Sequence, residues 1–450
     1  MSDPAESFID RAPLTRFHLK LTAFSAGGPL LDGYIVTIIG LALVTLGPAL
    51  DLDATETGLA AASALVGILA GGVVFGRLTD RIGRKVMYIG NLIALSALSI
   101  LSAFVVEPWQ LVALRFALGV MIGADYPIAS SMLAEFVPSR YRGRLLGALF
   151  AAFGVGAALA AGVGWALSAF GPDAWRWMLA SPAVIGVVTL VLRLNAPESP
   201  RWLLSRGRRA EAEQVVHKIW GPDAQVDELH EPVVTPATLM TRLSIRRIAY
   251  VSAFFIAHVI PLFAIYSFGP TLLHDLGIGT ESQYLPELLI ALLFVVGSVP
   301  GLWLVDRIGR IPLLVSTFAI MALTFGFIAV VPGAPPSLLF AALALYAVAS
   351  GASNFIEIIV PNELFPTSVR ATATGIVVAI SRVGAAISTF FLPAFLTGFG
   401  IGAVMWFLAA VNVFGLLATL LLGEETNGRP LGGLSRSQRL PSHSAVGGVK

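Results

Sequence analysis

The 450-residue sequence contains no cysteine, which excludes disulfides, thiolate metal sites and a cysteine nucleophile. Charge is scarce as well: 12% of the residues are Asp, Glu, Lys or Arg, against about 25% in an ordinary soluble domain. With 56% hydrophobic residues, a soluble globule could not hide its apolar surface, because folding always leaves much of a chain in water. Lipid must be the solvent. The net charge is only +2, and the bases are dispersed rather than gathered on one stripe, which argues against a nucleic-acid partner. No Walker loop, zincin pattern or Ser-His-Asp order occurs, so neither an enzyme nor a bound metal or cofactor is expected. The first twenty residues carry Asp3, Glu6 and Asp10 and lack a small-residue cleavage site. The first apolar stretch therefore reads as a retained helix and not as a signal peptide.

What the sequence has instead is a series of long apolar runs. A crossing needs about 20 mostly apolar residues. That criterion predicts helices near 21–47, 57–76, 86–105, 109–135, 145–170 and 175–194, then 247–272, 284–305, 311–331, 336–361, 372–398 and 401–422. The fold class expected is an all-α membrane protein with twelve crossings. The outer loops hold Asp51, Asp53, Glu56, Glu107, Asp275 and Glu281; of the 29 Lys and Arg, all but Arg115, Arg176 and Arg382 are placed on the inner side. Both termini are therefore placed in the cytoplasm. Residues 1–20 form a cytoplasmic tail, 21–194 a first six-helix bundle, 195–246 a linker, 247–422 a second bundle and 423–450 a tail expected to be disordered. The linker holds Arg201, Arg206, Arg208, Arg209, Arg242 and Arg246, which marks it as cytoplasmic.

Two motifs recur across the chain. Asp80-Arg81-Ile82-Gly83-Arg84 returns as Asp306-Arg307-Ile308-Gly309-Arg310. Glu135-x-x-Pro138-Ser139-x-x-Arg142 returns as Glu363-x-x-Pro366-Thr367-x-x-Arg370. Two independent matches at half the chain length indicate duplicated, pseudo-symmetric halves with a site between them near the membrane midplane. The charged members of both motifs are candidates for a cytoplasmic gate, with Asp80 and Asp306 expected to pair with neighbouring arginines. Ordinary positive-inside loop residues are the competing reading for any one arginine.

These motifs resemble those of the major facilitator superfamily over nearly the whole chain. Gly76 to Lys85 is similar to its loop 2–3 signature, and Pro197-Glu198-Ser199-Pro200-Arg201 resembles the motif after helix 6 in the sugar-porter and related branches. Pro361-x-Glu363-x-Phe365-Pro366 and Glu425-Thr426-Asn427-Gly428-Arg429 are similar to two further markers. The resemblance implies two six-helix bundles and alternating access. Positions that carry hexose-reading amides in sugar porters are Phe150 and the stretch Ala257-His258-x-x-Pro261-x-Phe263 here. Leu31-Asp32-Gly33-Tyr34 and Gly123-Ala124-Asp125-Tyr126-Pro127 look like phosphate and aromatic-acid symporters, and Ser381-Arg382-Val383-Gly384 resembles helix 11 of organic-anion carriers.

Ionisable side chains at bilayer depth cost a few kcal/mol each and mark a pathway by default. Asp32, Arg115 and Asp125 are the candidates for proton coupling. A carboxyl in a partly dry cavity can exchange a proton near neutral pH, and Arg115 matches the helix 4 Arg that partners a helix 1 Asp in proton-coupled sugar porters. Arg382 offers a fork for a carboxylate or phosphate. Substrate contacts are expected from Arg382, His258, Tyr34, Tyr266, Phe150, Phe263, Asn354 and Glu357; internal ion pairs and simple packing are the alternatives. Together these residues predict an inner-membrane secondary transporter, a monomer, that moves a small organic anion with protons. A neutral sugar or polyol carrier, a proton-driven exporter and a membrane sensor are the rival readings.

Overall fold

The computed structural model describes residues 8–194, 196–229, 242–279, 284–365 and 370–426. Every regular element among them is helical. On the first half of the chain lie α1 (Phe8–Arg11), α2 (Arg16–Ala49), α3 (Ala54–Ile82), α4 (Arg84–Ser102), α5 (Pro108–Phe136), α6 (Ser139–Leu167), α7 (Ala174–Ala180) and α8 (Pro182–Arg193). The linker contributes α9 (Pro200–Ser205) and α10 (Arg209–Trp220). The second half holds α11 (Arg242–Asp275), α12 (Tyr284–Ile308), α13 (Arg310–Val330), α14 (Pro336–Ser353), α15 (Ile356–Leu364) and α16 (Arg370–Leu422).

Among the described residues, nine helices are long and apolar enough to cross a membrane, so the expected twelve are not matched one for one. Two of the nine runs, Leu145–Arg193 and Thr372–Leu422, span 49 and 51 residues. One crossing needs about 20. Each run is interrupted by a glycine with φ of 77°, Gly171 in the first and Gly400 in the second. That conformation is open to glycine at no steric cost. The two breaks fall at matching places in the two halves.

Packing repeats in the same way. In the first half α2 lies on α6 and α3 on α5; in the second, α11 lies on α16 and α12 on α14. The halves meet where α2 touches α11, α3 touches α16 and α6 touches α12. A two-fold axis along the membrane normal exchanges the last two contacts and maps the first onto itself, as parallel repeats require. The halves approach closely at two glycines of the first half, Gly58 and Gly40. A Cβ at Gly58 would overlap the Phe390 carbonyl, and one at Gly40 would overlap the carbonyls of Tyr266 and Ser267. The perimeter is apolar: Val74, Leu323 and Leu421 stand exposed, which suits acyl chains and not water.

Two expectations change. Helix 336–361 is broken at Asn354–Phe355 into α14 and α15. The Ser353 hydroxyl donates to the carbonyls of Ala349 and Ser350 there, a local bond that competes with the helical ladder. The 1–20 tail is also not wholly separate. The Phe8 ring lies 5.2 Å from Trp220, Trp220 stacks on Phe136, and Arg11 donates to Glu228 at 2.5 Å, so α1 and the linker helices form a cap beneath the first half. The C-terminal tail beyond Thr426 and the loop residue Glu281 lie outside the described residues.

Candidate functional site

Asp32 and Asp125 come together because α2 is notched. Gly28 lies one turn before Asp32, and a Cβ there would overlap the Asp125 carboxylate and crowd Arg193. Asp125 and Arg193, both fully buried, form an ion pair at 2.9 Å. Asn91 donates to the same carboxylate at 3.2 Å. Arg193 also donates to the carbonyls of Phe24, Tyr88 and Ser25, and its guanidinium lies 3.7 Å from the centre of the Tyr88 ring. The bonds to Asp125 converge on Oδ1, while Oδ2 has no hydrogen-bond partner among the described residues; the bonds Arg193 makes are what allow a buried ion pair to persist. Asp32, 4% exposed, has no hydrogen-bond partner at Oδ1 among the described residues. The charges acting on it are those of Asp125, Arg193 and Arg382, so one electrostatic cluster draws on both halves.

Arg193 corrects the count of buried cations. In sequence it ends an apolar run, two residues before Asn195, and so reads as one of the inner loop bases. Its usable signal was continuity with that run, which leaves less than a turn between it and the apolar residues on either side. Arg115 is buried as well, but it donates to the Ile35 carbonyl at 3.0 Å. Among the described residues it shares no ion pair with Asp32 or Asp125; Arg193 occupies that place.

In the second half, the Arg382 guanidinium lies 5.0 Å from the centre of the Phe263 ring, close enough for a cation–π contact. His258 Nδ1 meets Glu357 at 2.7 Å, and its Nε2 lies 3.1 Å from the Ser350 hydroxyl. This pair bridges the broken helix α14–α15, with Asn354 buried at the break. Tyr266 is buried between Phe153 of α6 and Phe294 of α12, at ring separations of 6.2 Å. Phe153 is thus an aromatic neighbour across the interface; the side chain of Phe150 is outside the described set. Tyr34 corrects another expectation. It is 1% exposed and its hydroxyl bonds Ser181 at 2.7 Å, inside the first half. Two residues turn a helix by about 200°, so Tyr34 and Asp32 face opposite ways. A further buried acid is Glu287 of α12, which stands near the end of its apolar run, where a charge looks like an ordinary flank.

The repeated motifs build matched inner rims. Arg84 pairs with Glu135, which accepts from Ser199; Arg310 pairs with Glu363 at 2.8 Å, and Glu363 accepts from Thr426. Glu198 accepts from the first turn of α4 at Lys85, and Glu425 from the first turn of α13 at Arg310 and Ile311. A carboxylate is favoured at both helix starts by the aligned peptide dipoles. Glu198-Ser199 and Glu425-Thr426 are therefore a third repeated element, hidden in sequence because only two residues match. The partner expected for Arg310 was Asp306, which lies 3.5 Å away and is mostly exposed; Glu363 is the nearer acid. Each rim joins segments of one half. Arg307 instead stacks on Trp303 at 3.6 Å. The side chains of Asp80, Arg81, Arg142 and Arg370 lie outside the described set.

Comparison with known proteins agrees with the helical fold. The profile of the family described as Sugar (and other) transporter matches residues 25–437. The chain is 38% identical to the metabolite transport protein YaaU of Escherichia coli K12, covering 97% of this chain and 99% of that one. It is 36% identical to the inner membrane metabolite transport protein YgcS of the same organism, covering 94% and 95%. The crystal structure of a D-xylose-proton symporter superimposes with a TM-score of 0.77 at 21% identity, covering 91% of this chain and 99% of that one.

Proposed function

The chain belongs to the Sugar (and other) transporter family within the major facilitator superfamily, and on that premise we propose that it is a proton-coupled symporter of a small organic anion. It is a multi-pass inner-membrane transporter of the bacterial type, and not an enzyme. Its two long helical runs are read as a pair of crossings each, and α5 as one more, which gives twelve crossings in halves 21–194 and 247–422.

The observation that carries the reading is the charge count around Asp32. Two acids, Asp32 and Asp125, share their surroundings with two arginines, Arg193 and Arg382. With Asp32 ionised the cluster is neutral. Once Asp32 takes a proton the cluster holds one net positive charge, and a monoanion beside Arg382 restores neutrality. A buried net charge is unfavourable by several kcal/mol, so proton and anion are favoured together over either alone. That is the coupling a symporter needs. The substrate class that fits is a sugar acid, monocarboxylate or aromatic acid, with Phe263 and Tyr266 as apolar walls, and His258, Glu357 and Asn354 as polar groups of the second half. Asp125 acts by holding Arg193 in place, and Arg115 braces α2 through Ile35. Each half's inner rim keeps its helix ends together while the halves rock. The family also supports a neutral sugar as substrate, and Arg382 separates the two readings.

A thermal-shift panel of sugars, sugar acids and aromatic acids identifies a ligand. With that ligand in proteoliposomes, Asp32→Asn is expected to abolish accumulation driven by a pH gradient while exchange across the membrane continues. Accumulation that persists unchanged with binding intact would remove Asp32 as the carrier. Arg382→Met is expected to weaken anion binding by about tenfold to a hundredfold, the scale of one charged hydrogen-bonded contact, and to leave a neutral sugar unaffected.

A further inference from the structure

Glu287 takes no part in the cluster around Asp32, and its surroundings are chemically unusual. It lies in the first turn of α12, toward the outer face, and is 1% exposed. Among the described residues neither carboxyl oxygen has a hydrogen-bond partner. The opposing helix is shaped to admit it: a Cβ on Gly269 of α11 would overlap the Glu287 carboxyl. Pro270 follows directly and has no N–H, so the helical ladder of α11 is interrupted at the same level. The ionisable groups near the carboxyl are Tyr266 of α11 and Tyr346 of α14, both buried. The Tyr266 hydroxyl likewise has no hydrogen-bond partner among the described residues. Glu287 makes no ion pair among the described residues.

An isolated carboxylate cannot stay ionised in such a place. Removing its water without a partner costs several kcal/mol at the least. The dipole of α12 would return only about 0.3–2 kcal/mol, and none of the α12 amides bonds the carboxyl. The neutral acid is the form that fits. Tyr266 connects this site to the state of the halves, because its carbonyl is the group that Gly40 of α2 packs against at the outer contact. Separating the outer ends removes α2 from α11 and admits water to the notch, where a glutamate ionises at neutral pH.

We propose that Glu287 is a second proton-binding site, in the outer part of the second half, which is loaded from the outside when the outer ends of the two halves close and unloaded to the outside when they part. This proton is distinct from the one that travels with substrate. It rests on the proton-coupled reading only in that both involve proton uptake, and it makes closure of the outer face easier as external pH falls. For one proton the closing equilibrium shifts about tenfold per pH unit above the value at which the open-state acid titrates.

The test needs no substrate. Infrared spectra of the full chain in lipid vesicles report protonated carboxyls directly. A protonated carboxyl band is expected at about pH 6, above the range of ordinary carboxyls, to lose one component in Glu287→Gln, and to keep that component in Asp32→Asn. An identical band in wild type and Glu287→Gln would overturn the proposal. Because the chain has no cysteine, a cysteine introduced at Leu288, which packs against Gly162 of the other half, reports outer closure. Its labelling by a membrane-impermeant maleimide, scaled to an exposed cysteine in the same protein, is expected to slow as external pH falls. Glu287→Gln should make it uniformly slow, and Glu287→Asp should keep the pH dependence. A pH dependence that survives in Glu287→Gln would overturn the proposal. Loss of proton-driven uptake bears on Asp32 alone, so the two readings fail separately.

Discussion

At the scale of single residues, the arrangement turns on which buried charges have partners. Asp125 and Arg193 are each fully buried and bonded to one another, so removing one strands the other. Asp125→Asn is expected to destabilise the protein by about 3–5 kcal/mol, read as a lower melting temperature in detergent. Asp125→Leu combined with Arg193→Met is expected to recover most of that loss, because two apolar side chains replace a satisfied pair. If the double variant melts no higher than the single one, the pair does more than satisfy itself. Asp32 stood out in the sequence because an acid in the middle of an apolar run is costly and conspicuous there. Arg193 and Glu287 stand near the ends of their runs, where a charge looks like an ordinary flank. Only the packing of α2 against α8 and of α11 against α12 shows that both are enclosed.

Elements add what single residues cannot. Helices α2 and α11 approach until Gly40 meets the carbonyls of Tyr266 and Ser267. A larger side chain there must hold the outer ends apart. Gly40→Val is therefore expected to speed labelling of the Leu288 cysteine reporter several-fold, with the scaled rate as the measurement. The inner rims allow a paired prediction. Ser199 and Thr426 donate to Glu135 and Glu363 in the same way. Ser199→Ala and Thr426→Ala should each cost about 1.5–3 kcal/mol, the range for a bond to a charged group. Their effects should add, because the rims lie in different halves. Strong non-additivity in melting would mean that the rims communicate. The break between α14 and α15 was not legible in the sequence: Asn354 and Phe355 lie inside a hydrophobic stretch, and the side-chain bonds of Ser353 that weaken the ladder depend on its rotamer.

For the whole molecule, the decisive feature is that the halves meet through helix faces, with the linker serving as a tether and a cap. Fragments 1–229 and 242–450, expressed together, are expected to assemble, and a tag on one should retain the other after solubilisation. Failure to co-purify would show that the covalent linker holds the halves together. The charge balance around Asp32 makes a second prediction at this scale. One proton and one monoanion carry no net charge, so an imposed membrane potential of either sign should leave the initial uptake rate unchanged. A rate that follows the potential would point to a different stoichiometry.

The helical class, the membrane as solvent and the duplication were written in the sequence, since each depends on composition or on spacing along the chain. Apolar length decides whether a segment enters lipid, and repeated strings survive in one dimension. The partnership of Asp125 with Arg193 and not with Arg115, the turning of Tyr34 into its own half, the matched rims of Glu198 and Glu425, and the enclosure of Glu287 were decided only by the tertiary structure. Those outcomes depend on which faces of distant helices meet, and on glycines such as Gly28 and Gly269 that let one backbone approach another. Contact between residues far apart in sequence leaves no periodic trace in either segment alone.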